Sequence, residues 1–255
     1  MIVTVLGSGT SQGVPVIACD CEVCRSLDYR DQRLRAAIHI EIDNKSIVID
    51  TGPDFRQQML RERITSLDAV VFTHQHKDHT AGMDDLRSFN FKQKNDIPIY
   101  ARESVMNQLK QEFAYIFVEE QFKYPGVLSV EEHVIENKPF DVQGTEFIPI
   151  EVLHHKLPVF GFRINDFTYI TDANYISEEE LEKVKGTEVL ILDALHREEH
   201  ISHFSLDEAL AVIKVINPKK AYLTHISHRM GLHAEVEAEL PPNVQLAHDG
   251  LKIEC

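Results

Sequence analysis

Apolar residues along this chain fall in short runs of strand length, each closed by a polar or glycine-containing turn, with helical periodicity confined to a few intervening stretches. Strands are predicted at residues 1–7, 36–42, 45–49, 67–72, 97–100, 146–153, 159–164, 167–170, 189–193, 221–223 and 251–253. Asp43-Asn44 and Asn165-Asp166 sit between neighbouring runs as hairpin turns. Helices are predicted at 55–61, 80–89, from a cap at Ser104 to about Tyr115, and at 177–185, 205–216 and 233–240. Residues 118–139, with Tyr124-Pro125-Gly126, show neither period and are expected to form a loop that shapes a pocket. Early hairpins, later strand–helix alternation and helices between strand groups predict an α/β sandwich of two mixed sheets flanked by helices. No linker or low-complexity tract interrupts it, so residues 1–255 are expected to form one domain.

Composition narrows the partners more than the fold. With 43% hydrophobic residues among 255, the chain can bury a full core. Its apolar runs are far shorter than the roughly 18 residues a membrane span needs. The first residues lack a basic flank and a long apolar core, so no signal peptide is expected and a cytoplasmic location is inferred. A formal charge of −15, from 41 acidic against 26 basic residues, repels polyanions, and stable binding of nucleic acid or of an anionic membrane is not expected. Bound divalent ions would still make one pocket positive.

Four potential ligands crowd into Thr73-His74-Gln75-His76-Lys77-Asp78-His79, directly after the buried strand at 67–72. Imidazoles and a carboxylate in a loop at a strand end suit a divalent transition metal. Three further places repeat the pattern of an apolar strand ending in a ligand: His154-His155, Asp172 and His225. Separately, Cys19, Cys21 and Cys24 form a Cys-x-Cys-x-x-Cys run, which in a non-secreted chain favours thiolate metal ligation over disulfides. With His228 they would make a tetrahedral structural zinc site.

His74-x-His76-x-Asp78-His79, followed by His154, Asp172 and His225, resembles the metallo-β-lactamase-fold hydrolases, whose αββα sandwich holds a dinuclear centre. The turn from Gly9 to Pro15, the cysteine run, His154-His155-Lys156-Leu157 and the stretch from Leu223 to His228 resemble more narrowly the PhnP-type phosphoribosyl cyclic phosphodiesterases, relatives of ribonuclease Z. The resemblance implies one metal on His74, His76 and His154, a second on Asp78, His79 and His225, and Asp172 bridging both; zinc and manganese are the candidate ions. It selects His154 over His155, in keeping with alternation along a strand, which lets one of the two face the site. It also places a general acid at His203, in Ser202-His203-Phe204-Ser205; His203 and Asp78 are the candidate catalytic residues. His196 and His200 are expected to be solvent-exposed, and Asp50 to orient a ligand histidine.

The implied reaction is hydrolysis of a small, cyclic phosphodiester by a metal-bridging hydroxide, with His203 protonating the departing oxygen. Ribonuclease Z enzymes carry a transfer-RNA-binding arm between the third histidine and the bridging aspartate. Here His154 and Asp172 are 18 positions apart, which leaves no room for it. Ester or thioester hydrolysis, and a non-catalytic zinc-binding role in quinone-cofactor biosynthesis, are the competing functions for such a chain. A homodimer is implied by the resemblance alone.

Overall fold

The computed structural model describes residues 1–255 apart from the side chain of residue 120. Strands β1 (Ile2–Gly7), β2 (Ala37–Ile42), β3 (Lys45–Ile49), β4 (Ala69–Val71), β5 (Ile97–Arg102) and β6 (Val130–Ile135) lie in that order in one sheet. The first three pair antiparallel, and β3 to β6 run parallel. The second sheet contains β7 (Phe140–Val142), β8 (Thr145–His154), β9 (Leu157–Ile164), β10 (Phe167–Ile170), β11 (Tyr175–Ile176), β12 (Val189–Asp193), β13 (Lys220–Thr224) and β14 (Val244–Leu246). Its order is β11-β8-β9-β10-β12-β13-β14, with β7 paired to β8. β15 (Lys252–Glu254) returns to the first sheet beside β1.

Alternation along the strands explains the layering. Ile47 and Ile49 of β3 point inward to meet Phe160, Phe162 and Tyr169 between the sheets. Val48 points outward onto helices α1 (Phe55–Glu62), α3 (Arg87–Gln93) and α4 (Glu103–Glu112), which cover this sheet, with the short α2 (Lys77–Thr80) between α1 and α3 in the chain. On the other side Leu190 and Leu192 of β12 face α5 (Glu178–Val184), α6 (Leu206–Ile216) and α7 (His233–Glu239). Burying each such side chain stabilises the fold by about 1.5–3 kcal/mol. Sequence marks α6 most clearly: Ser205 and Glu208 form a reciprocal capping box, and Leu206, Ala209 and Ile213 make its buried stripe.

Several expectations need correction. The helix placed at 80–89 is instead α2, a 3-10 turn at Met83–Leu86, and α3. Gly82 marks the break, because a Cβ there would lie 2.2 Å from the Gly52 carbonyl oxygen, too close for a side chain. Helix α4 starts at Glu103 with no side-chain cap, so Ser104 lies inside it. The stretch 118–139 is not all loop, since Val130–Ile135 forms the edge strand β6 along β5. Its outer side chains are largely exposed, which hides the strand pattern.

Candidate metal centre

Every candidate ligand of the expected dinuclear cluster stands at a strand's carboxyl end or in the loop and short helix that follow it. The loop after β4 carries His74 and His76 and enters α2, which holds Asp78 and His79. His154 ends β8, Asp172 follows β10 and His225 follows β13, so both sheets contribute. Asp50, Asp172 and His225 adopt the left-handed region with φ of 68°, 54° and 58°. Turning each side chain sharply off its strand in this way costs roughly 1–2 kcal/mol of backbone energy.

The donors form two adjoining groups. His74, His76 and His154 make one, with ring centroids 4.6 to 5.7 Å apart. Asp78, His79, Asp172 and His225 make the other. His79 Nε2 lies 3.2 Å from Asp78 Oδ2 and 3.1 Å from Asp172 Oδ2, and His225 Nε2 lies 3.2 Å from Asp172 Oδ1. Asp172 Oδ1 is also 4.0 Å from His74 Nε2, so this carboxylate faces both groups. His155 projects outward, exposed, from a left-handed position in the turn beyond His154.

These donors fit a pair of divalent cations. His79 Nε2 and His225 Nε2 are fully buried yet lack a hydrogen-bond partner, which is costly for imidazole nitrogens unless an ion takes them. Burial, reinforced by His79, pushes His74 well below the ordinary imidazole range, so it stays neutral and able to ligate. Asp50 supports the cluster from behind. Its Oδ2 accepts from His79 Nδ1 at 2.7 Å and from the Thr73 hydroxyl at 2.8 Å, while Oδ1 accepts from Thr73 N at 2.9 Å.

His203 lies over the same centre, its ring 4.6 Å from that of His154 and 4.7 Å from that of His225. One of its nitrogens is within 4.8 Å of donor atoms of His154 and Asp172. On its other side stands Asp193, at the end of β12 and absent from the sequence-derived candidates. Asp193 Oδ2 accepts from Ala173 N at 3.1 Å and faces His203 Nδ1 at 3.3 Å, and Oδ1 faces His225 Nδ1 at 3.7 Å. Burial lowers the basicity of His203, but Asp193 outweighs it and raises the imidazole to about 9. The signal for Asp193 was present, because Val189–Asp193 is one more apolar strand closed by a ligand-type residue.

His200 is exposed as expected, but His196 is buried. The chain doubles back here: Leu195 N donates to Phe204 O and Leu206 N to His196 O, enclosing the imidazole. Cys19, Cys21, Cys24 and His228 also converge, with the Cys19 and Cys21 sulfurs each 3.3 Å from His228 Nδ1, a three-thiol, one-imidazole set suited to tetrahedral zinc.

Residues 45–226 match the model of the beta-lactamase superfamily domain. A crystal structure described as a new diphosphatase from the PhnP family superposes with a TM-score of 0.92 and is 41% identical, over 99% of this chain and 96% of that one. The chain belongs to the PhnP family. This PhnP-family chain is also 38% identical, over 97% of its length, to a Porphyromonas gingivalis protein named octanoyltransferase, but spans 50% of that protein. It shares the fold of zinc-bound PqqB from Methylobacterium extorquens, at 18% identity, a TM-score of 0.78 and full coverage of both chains.

Proposed function

We propose that this protein is a dinuclear-metal-dependent phosphodiesterase acting on small, cyclic phosphodiesters. The convergence of seven donors from both sheets beneath His203 carries the reading. In it, His74, His76 and His154 hold one ion, Asp78, His79 and His225 the other, and Asp172 reaches both; the ions are zinc or manganese. Bound there, they acidify water and neutralise charge on the nonbridging phosphoryl oxygens. His203 gives its proton to the departing oxygen as the phosphorus–oxygen bond breaks, and Asp193 holds the ring in place for that transfer. Cys19, Cys21, Cys24 and His228 hold a separate structural zinc.

The connection between His154 and Asp172 supports a small substrate. Its residues are taken up by β9, β10 and their turns, so nothing protrudes there to grip a folded RNA. Among the described residues no helix is long and apolar enough to cross a membrane.

His203→Ala tests the assignment. It should slow phosphodiesters with alkoxide-like leaving groups at least ~100-fold more than p-nitrophenyl esters, whose leaving group needs no proton. Equal losses on both, with metal content unchanged, would remove His203 from the general-acid role. A second reading, cleavage of a diphosphate bond, is favoured by the description of the 41% identical relative. Running diphosphates and an octanoyl thioester beside phosphodiesters separates the three reaction classes.

A further inference from the structure

The cysteine loop and the dinuclear cluster meet in one stretch, Thr224-His225-Ile226-Ser227-His228. His225 reaches the cluster from a left-handed backbone, φ 58°, which a side-chain-bearing residue keeps only where its surroundings hold it. Three residues on, His228 reaches the cysteine sulfurs. Between them, the buried Ile226 donates from its N to Ser8 O at 2.9 Å and accepts from Thr10 N at 3.1 Å. Ser227 N donates to Leu195 O at 2.9 Å on the opposite side. The stretch between the two histidines therefore has little slack.

The Ser8–Thr10 grip leads into the same cysteine loop. Gly13 N donates to Thr10 O, Val14 and Arg33 exchange both backbone hydrogen bonds, and Cys19 N donates to Val16 O. Between Val16 and Gln32 the regular structure amounts to two 3-10 turns of three residues. Ile17 and Leu27 are 93% and 97% exposed, and Val23 is the one apolar side chain of the loop that is buried, so apolar packing ties the loop down at a single point. Asp31 anchors one end by accepting from His233 N at 2.7 Å. At the other end three sulfurs converge on His228.

We propose that the Cys19–Cys21–Cys24–His228 site controls the dinuclear centre. Loss of its metal frees His228 and the loop, lets the turn at His225 relax, and weakens the ion held by Asp78, His79 and His225. This rests on the ligand assignment above. It gives the cysteine site a role beyond local stability, because any chelator or thiol-modifying agent that empties it would also deplete the catalytic pair.

The test compares the 255-residue wild type with a Cys21→Ser/Cys24→Ser variant. Both are loaded with zinc, counted for metal by mass spectrometry and stripped stepwise with a chromogenic chelator. The variant should lack one zinc and release its weaker remaining ion at roughly 10- to 100-fold higher free zinc, the effect typical of disturbing a ligand's support. Backbone amides from Ile226 to Met230 should also exchange faster. A variant that keeps two ions at wild-type affinity overturns the coupling while leaving the dinuclear assignment intact. A wild type holding no ion beyond the thiolate-bound one overturns both. Should the variant fail to fold, wild type loaded with cadmium-113 serves instead. Removing the thiolate-bound ion with an organomercurial should shift the resonances of the nitrogen- and oxygen-bound ions, and unchanged resonances overturn the coupling.

Discussion

Replacing Asp50 by Asn should weaken one half of the proposed dinuclear centre without touching one of its proposed ligands. His79 Nε2 faces Asp78 and Asp172, so the ring must present its lone pair there to bind an ion. Its Nδ1 then carries the proton and donates to Asp50 Oδ2, 2.7 Å away. The substituted amide has one oxygen where the carboxylate has two. If that oxygen keeps Thr73 N, the amide nitrogen meets Nδ1–H, donor against donor; the flipped amide meets Thr73 N–H in the same way. One buried donor is left unpaired in either orientation, at about 1–3 kcal/mol, which corresponds to roughly 5- to 150-fold in affinity. Chelator competition should show this loss for the ion on Asp78, His79 and His225, with the ion on His74, His76 and His154 changed little. Affinities of both ions within twofold of wild type, in a folded variant, would refute the tautomer argument.

His154→Ala should remove one ion from the protein as counted by mass spectrometry, whereas His155→Ala, at an exposed position, should leave the count unchanged. Acid sensitivity should include His233. Its Nδ1 accepts from Arg33 at 3.0 Å and its Nε2 faces Glu237 at 3.3 Å, an arrangement that suits the neutral ring. Burial, reinforced by Arg33, lowers its pKa to about 3. Between about 6.5 and 3 the unfolded chain therefore takes up a proton that the folded chain does not, and stability falls as pH falls through that window. Denaturant midpoints at saturating metal should drop less between pH 7 and pH 5 in His233→Gln than in wild type; equal drops would exclude His233 as a contributor.

The parts of the fold visible in sequence are those where burial repeats on one face. β3, β10 and β12 match their expected bounds because their residues are almost all buried, and α6 carries both its cap and its stripe. Strands β7, β11 and β14 were not visible: they are two or three residues long and stand at the margins of their sheet, too short for a period to emerge. The candidate site was legible where ligands cluster or follow apolar runs; alternation allowed only one of His154 and His155 to face it, and the family resemblance singled out His154. The burial of His196 was not legible, because it depends on the chain doubling back between residues 195 and 206, whereas Asp193 closes an apolar strand as the other candidates do and was passed over. Gly82 likewise owes its place to the backbone of Gly52, far away in sequence.

The central claim is tested most directly by measuring kcat/KM of the metal-replete protein on a ribose cyclic phosphodiester, with a diphosphate and an octanoyl thioester run in parallel. The cyclic phosphodiester should be turned over at least ~100-fold more efficiently than either competitor, and stripping the ions should abolish the activity. Faster turnover of the diphosphate or the thioester, or phosphodiester hydrolysis that survives metal removal, would contradict it.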